Sequence, residues 1–242
     1  MHRMLPEFVK AAWIRRRQRR LTVRTWEDFG GRPHAVAGSV AIVGNAGYLT
    51  ALDQGESIDR HDLVIRLNNY RTAGFERQVG TRCDIFLTNF FTDIRFDRAE
   101  LTGVRHLVAS VPNAFRKRRR QNLHHRHAEH IATGMERLAR SEVSVPSSAA
   151  FAAACVACGA VPSTGLMALR FVVQHLRFER LFVTGYSFFR GPEHYFGAAG
   201  AAGKYHDFAR ERGLVAALLL PLVRSGRAGV DPILHEDLER AA

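Results

Sequence analysis

The chain has 242 residues and a mass of 27.1 kDa, with 46% hydrophobic and 24% charged residues; it can close a substantial core, and wholesale disorder is excluded. Three cysteines are too few, and odd in number, for a disulfide scaffold, which makes a reducing compartment the default. The net charge of +12 is concentrated: residues 1–20 carry seven cations against Glu7, residues 116–120 add five more cations, and the remainder is close to neutral, so a uniformly basic nucleic-acid protein is excluded.

Along the chain, residues 1–30 read as a basic amphipathic N-terminal segment and 31–242 as a single domain. Leu5, Phe8, Val9, Ala12 and Trp13 fall on one helical face, and Arg15, Arg16, Arg17, Arg19 and Arg20 follow. Such a helix suits an anionic membrane surface, docked peripherally on the cytoplasmic face. No run approaches the ~20 apolar residues of a membrane span. Residues 39–44 (SVAIVG), 62–68 (DLVIRLN), 84–88 (DIFLT) and 104–111 (VRHLVASV) predict four strands. Residues 113–141 are polar, basic and His-rich, with a helix expected around 129–138, and 142–145 predict a further strand. Helices are expected over 147–158 and 163–176, a buried strand over 181–185, a Gly/Ala-rich loop over 191–203, and a last helix from about 204 to 220. Alternating strands and helices predict an α/β fold with a mostly parallel sheet, whose ligands sit at the carboxyl ends of the strands.

Gly44–Gly47, Asn68–Asn69 and Gly185–Tyr186 fall at such ends, and three groups of residues could carry chemistry. In Gly44-Asn45-Ala46-Gly47 a strand ends where backbone amides can approach a phosphate or sugar, although a plain turn explains it equally well. Ser163-Thr164-Gly165 opens a helix after Pro162; its free amides and two hydroxyls make an anion site, or simply a cap. His194, Tyr195 and His206 lie in or beside a polar loop, and a histidine there suits a general base near neutral pH. Glu211 lies five residues after His206, a step that favours its orienting neighbouring backbone over bonding the imidazole.

Residues 43–68 (VGNAGYLTALDQGESIDRHDLVIRLN) resemble the large sialylmotif of glycosyltransferase family 29, the sialyltransferases, and 72–84 (TAGFERQVGTRCD) resemble its continuation. Residues 162–186 (PSTGLMALRFVVQHLRFERLFVTGY) resemble the small motif, His194-Tyr195-Phe196 the third, and His206 to Glu211 the very small one. Each match is modest; four in the family's order are specific. The resemblance implies a three-layer α/β/α sandwich of GT-A-like type that uses a CMP-activated sugar, most simply sialic acid, without a metal or other cofactor. It implies inverting transfer to a glycan or glycolipid hydroxyl. By position, Gly44, Asn45, Gly47, Asn68, Ser163, Thr164, Gly165 and Tyr195 would hold the nucleotide, His194 would touch the phosphate, and His206 would be the general base. No nucleic-acid partner is expected.

The chain departs from the family pattern where luminal members carry a disulfide between the large and small motifs; Val40 and, by alignment, Phe178 stand there. Ala46 replaces the usual Ser, which leaves a CMP-Kdo type donor open. A basic membrane- or nucleic-acid-binding module without catalysis is the rival reading. Cys155 and Cys158 have metal-knuckle spacing but no second pair, and read as structural thiols on a helix, as does Cys83 near a strand. The histidines 124–130 beside Arg116–Arg120 read as a solvated face that attracts anions. Asp59 and Asp62 around His61 read as a turn before a strand.

Overall fold

The structure is a computed structural model; it describes residues 22–31, 35–90, 94–95, 99–112, 142–189, 193–198 and 205–242. The expected helices over 1–20 and 129–138, and the histidines 124–130, lie outside the described residues.

Eight strands form one sheet in which every pair is parallel: β1 (Thr22–Thr25), β6 (Glu142–Val145), β5 (His106–Ala109), β4 (Ile85–Thr88), β3 (Leu63–Leu67), β2 (Val36–Val43), β7 (Arg177–Thr184) and β10 (Ala228–Val230), in that spatial order. Parallel strands buried on both faces need near-continuous apolar runs. β3 and β4, LVIRL and IFLT, are buried at every position. From β2 the chain steps outward through β3, β4 and β5 to β6, then returns to the other side of β2 with β7 and β10. The connection therefore reverses between β2 and β7, the switch point at which α/β sheets form ligand crevices.

Helices α1 (Trp26–Gly30), α4 (Ser148–Cys158), α5 (Thr164–His175), α6 (Phe208–Arg224) and α7 (Pro232–Glu239) cover one face of the sheet, where Trp26, Phe29, Val40, Leu169, Phe171, Leu219 and Leu238 form the largest core cluster. The other face is closed by shorter pieces: a 3-10 turn (Gly47–Ala51), α2 (Gly55–Asp59) and α3 (Glu76–Val79), with Leu49, Ile58 and Val79 packed on Ala41, Val43 and Val64. This is a three-layer α/β/α arrangement. β8 (Glu193–His194) and β9 (Gly197–Ala198) form a separate small hairpin.

Three boundaries differ from the sequence-based expectation. Thr22–Gly30 belong to the body: β1 extends the sheet beside β6, Thr25 and Asp28 make a reciprocal capping box, and Trp26 and Phe29 are core residues. The last helix starts at Phe208 and runs to Arg224, and β10 and α7 follow it. Finally, Val40 lies opposite Leu181 on β7, whereas Phe178 lies opposite Ala37. Phe178 is three residues along β7 from Val40's neighbour, ~10 Å at 3.3 Å per residue, so the residue beside Val40 in the core is Leu181.

Asp59 and Asp62 have structural partners, and two of the thiols are buried. The Asp59 carboxylate accepts from the Thr81 and Arg82 amides, and Asp62 accepts from the Ser39 amide (2.7 Å) and hydroxyl (3.0 Å). Cys83 and Cys158 are buried, and burial pushes both thiols up to about 11.

Candidate active site

The strand ends at the switch point are locked to one another through backbone. The Gly44 amide donates to the Thr184 carbonyl (2.8 Å) and the Ala46 amide to the Gly185 carbonyl (3.1 Å). A Cβ on Gly44 would lie 2.2 Å from the Gly185 oxygen, so only glycine fits. Gly185 takes φ +78°, the left-handed region that other residues avoid. Beneath this crossing lies a buried polar brace. The Tyr48 hydroxyl donates to Asp231 (2.9 Å) and accepts from the Gly185 and Tyr186 amides (3.1 Å each). Thr184 donates to the same Asp231 oxygen (2.8 Å). Burial and the neighbouring carboxylate push the Tyr48 phenol far up, so it stays a neutral donor.

Asn45 sits on this crossing. Its side-chain NH2 donates to the Leu67 carbonyl at the end of β3 (3.0 Å), while its side-chain oxygen is buried without a partner among the described residues. A buried amide oxygen left unpaired costs about 1–3 kcal/mol. The Asn45 backbone carbonyl accepts from the Tyr195 amide (3.1 Å) and faces His194 Nδ1 at 3.3 Å. Ala46 also pairs with His194 in an isolated antiparallel bridge. The loop that carries the histidine is thus stitched to the glycine turn.

Asn68, at φ +48° just past β3, donates to the Thr164 hydroxyl (3.2 Å) in the first turn of α5, and its carbonyl oxygen accepts from the Asn89 amide (3.2 Å). Ser110, buried just past β5, lies 3.5 Å from the same Thr164 oxygen. Ser163 caps α5 by accepting from the Leu166 amide (3.2 Å). Its own amide (2.7 Å) and hydroxyl (2.5 Å) donate to Glu211, one turn into α6. Glu211 is buried, and burial raises its carboxyl above the usual range against the lowering effect of the two Ser163 bonds. Gly165 is covered by Tyr186, whose hydroxyl donates to the Gly165 carbonyl (2.9 Å).

His206 precedes α6. Its Nδ1 lies 2.7 Å from the Val161 carbonyl and 4.0 Å from Glu211. A carbonyl only accepts, so Nδ1 carries the proton and the lone pair sits on Nε2, the nitrogen able to take a proton. Phe189 stacks on Phe208 (centroids 4.5 Å apart) and meets His194 edge-on (6.1 Å), and Phe208 flanks His206 (5.3 Å), so an aromatic row joins the two histidines. Phe188 and Phe189 both have positive φ, a strained setting for bulky residues that clusters at functional sites. Burial holds His194 below the usual histidine range.

Gly44, Asn45, Gly47, Asn68, Ser163, Thr164, Gly165, His194, Tyr195 and His206 therefore gather at the carboxyl ends of β2, β3 and β7 and the start of α5. Tyr195 serves as a brace: its ring is buried, and its hydroxyl bonds both the amide (2.9 Å) and the carbonyl of Arg71. Tyr48, Asp231, Ser110 and the Phe188-Phe189 strain are absent from the sequence reading. Only Asp231 had a readable local signal, an Asp before Pro at a helix start.

A model of glycosyltransferase family 29 (sialyltransferase) matches residues 35–220. Sialyltransferase-like protein 2 of Oryza sativa subsp. indica is 51% identical over 49 residues, 20% of this chain and 12% of that protein. A beta-1,6-galactosyltransferase of Arabidopsis thaliana is 47% identical over 51 residues (21% and 13%). Alpha-N-acetylgalactosaminide alpha-2,6-sialyltransferase 2 of Mus musculus is 52% identical over 46 residues (19% and 12%). The matched part spans about an eighth of each of these relatives. The crystal structure of a mammalian sialyltransferase superposes with a TM-score of 0.55 at 19% identity, covering 95% of this chain and 87% of the other, which shows a shared fold.

Proposed function

Because the chain belongs to glycosyltransferase family 29, the sialyltransferases, we propose that it transfers a sugar, sialic acid first among the candidates, from a CMP-sugar donor to a glycan hydroxyl with inversion and without a metal. The observation that carries this reading is the Asn68–Thr164 contact of 3.2 Å, which joins segments 96 residues apart at one helix start. Around it, the Asn45 amide oxygen awaits a donor such as a ribose hydroxyl or a cytosine amine.

The chemistry follows from the groups present. The acceptor oxygen attacks the anomeric carbon while the bond from that carbon to the CMP phosphate breaks, and the electron pair leaves with the phosphate. The amides at the start of α5, the Asn68 amide and His194 would stabilise that developing charge. His206 Nε2 would take the acceptor proton, assistance typically worth 10²–10⁴-fold. Ser163 contributes by fixing the helix start against Glu211, since its hydroxyl already has two partners.

Calorimetry with CMP tests the nucleotide site. The intact chain is expected to bind and Asn45→Ala to bind at least tenfold more weakly; no binding by the intact chain sinks the reading. The Arabidopsis thaliana relative carries a galactosyltransferase name, so CMP-sialic acid, CMP-Kdo and UDP-galactose are the donors to compare by nucleotide release. Residues 1–20, docked on an anionic membrane, would keep the enzyme peripheral on the cytoplasmic side; vesicle co-sedimentation of the full chain and a chain lacking them checks this.

A further inference from the structure

Toward the opposite end of the same strands lies a cavity of about 450 Å³, within the size range of small-molecule sites. Its floor is sheet: Ser39 of β2, Arg180 and Phe182 of β7, and Gly229 of β10. One wall is the end of α2 and the turn after it, with Ser57, Arg60 and His61; the other is the turn before β10, with Arg227. Arg180 and Thr184 are four residues apart on β7, so ~13 Å of strand separates this floor from the glycine crossing.

The lining is cationic and only lightly compensated. Arg180 is exposed and has no hydrogen bond or ion pair among the described residues. Arg227 lies over the Phe178 ring (5.4 Å) and donates one bond to the Phe178 carbonyl (3.2 Å), which holds its guanidinium in place and leaves other donors free. Arg60 pairs with Glu56, and both are open to solvent. Two other acids are close: Asp62 turns to Ser39, and Glu179 alternates to the other face of β7. His61 stacks on Phe182 (5.8 Å, 24°) and directs Nδ1 to the Ser57 (2.9 Å) and Ile58 (3.2 Å) carbonyls, so the aromatic pair forms a fixed flat wall.

We propose that this cavity is a second ligand site, for a phosphate ester whose dianion is bound by Arg60, Arg180 and Arg227 and whose organic part lies against the His61–Phe182 pair. Three arginines lining one volume from three elements suit the tetrahedral acceptor set of a phosphate better than the planar pair of a carboxylate. The site stands apart from the nucleotide reading and does not depend on it.

The test uses the full chain with two probes that separate a soluble phosphate ester from a lipid headgroup: glucose 1-phosphate by calorimetry, and vesicles of phosphatidylcholine with and without phosphatidic acid by co-sedimentation. Both are run with saturating CMP present. Binding of either probe that persists under CMP and falls at least tenfold in Arg180→Gln/Arg227→Gln supports the site, and the probe that responds names the source. Both positions are exposed, so the variant's melting temperature and CMP affinity are expected to match those of the intact chain. If neither probe binds, if CMP abolishes binding, or if the double variant binds as well as the intact chain, the proposal is overturned. CMP binding by the intact chain is read in the same titration, so a failure of the nucleotide reading shows separately.

Discussion

The glycine crossing at β2 and β7 and the loop carrying the two histidines meet at one site but are held by different means. The crossing is backbone against backbone, with no room for a single added carbon, and is supported below by Tyr48 and Asp231. The loop has one backbone seam, at Ala46–His194 and the Tyr195 amide, and is otherwise held by side-chain contacts: His194 on the Asn45 carbonyl, Tyr195 on Arg71, His206 on the Val161 carbonyl, and a row of phenylalanines between the histidines. A part that must approach a charged ligand closely and in one pose is best made of amides and glycines, which carry no rotamer freedom. A part that must move a proton needs an imidazole held within hydrogen-bond reach of the hydroxyl it serves. Substitutions in the crossing should act on folding, and substitutions in the loop on turnover.

The sharpest break is Gly44→Ala. With the new carbon 2.2 Å from the Gly185 carbonyl, β2 and β7 must separate at the centre of the sheet. A loss of about 3 kcal/mol or more is expected, read as a large fall in melting temperature or absence of soluble protein. Near-normal stability would mean that the two turns can slide apart. His206→Ala should do the reverse. Transfer falls by 10²–10⁴-fold while CMP affinity and melting temperature stay close to those of the intact chain. A CMP affinity that falls with activity would place His206 in binding.

Tyr48→Phe probes the brace. It leaves the Tyr186 amide short of an acceptor and removes one of the donors to Asp231, while Gly185 keeps Asp231 at 3.2 Å. A loss of about 1–3 kcal/mol by denaturant melting is expected. Because the damage lies beneath the crossing, CMP affinity should fall as well. A variant that loses stability and binds CMP normally would separate the brace from the site.

How legible these regions were in the sequence follows the same division. β2, β3 and β4 announce themselves as short apolar runs, and the glycine, asparagine and serine segments fall at their ends as the α/β rule requires. The Tyr48–Asp231 bond joins residues 183 apart, and no local pattern signals it. β1 is short, and its sheet position depends on pairing with β6, more than a hundred residues later, so Thr22–Thr25 look like the tail of a basic segment. The capping box at Thr25 and the Asp-Pro start of α7 were readable locally and mark elements that the hydrophobic periodicity alone does not. Phe178 as the neighbour of Val40 was a register question, and register is set by pairing across the sheet.

The smallest effect tests whether the loop belongs to the folded body at all. Burial holds His194 below the usual histidine range, so the unfolded chain accepts that proton before the folded one does. Its contribution to stability is complete above the ordinary histidine range and is lost as the pH falls through the folded value. Intact chain and His194→Gln should therefore differ in the pH dependence of unfolding. Between pH 7 and pH 5 the intact chain loses stability that the variant does not lose. Parallel stability profiles would mean that the contact with the Asn45 carbonyl, which favours the charged imidazole, offsets the burial. Tyr195 ties the loop down as well, its amide bonded to the Asn45 carbonyl and its hydroxyl clasping Arg71. Tyr195→Phe is then the variant expected to loosen the loop and lower turnover, with β2 and β7 undisturbed.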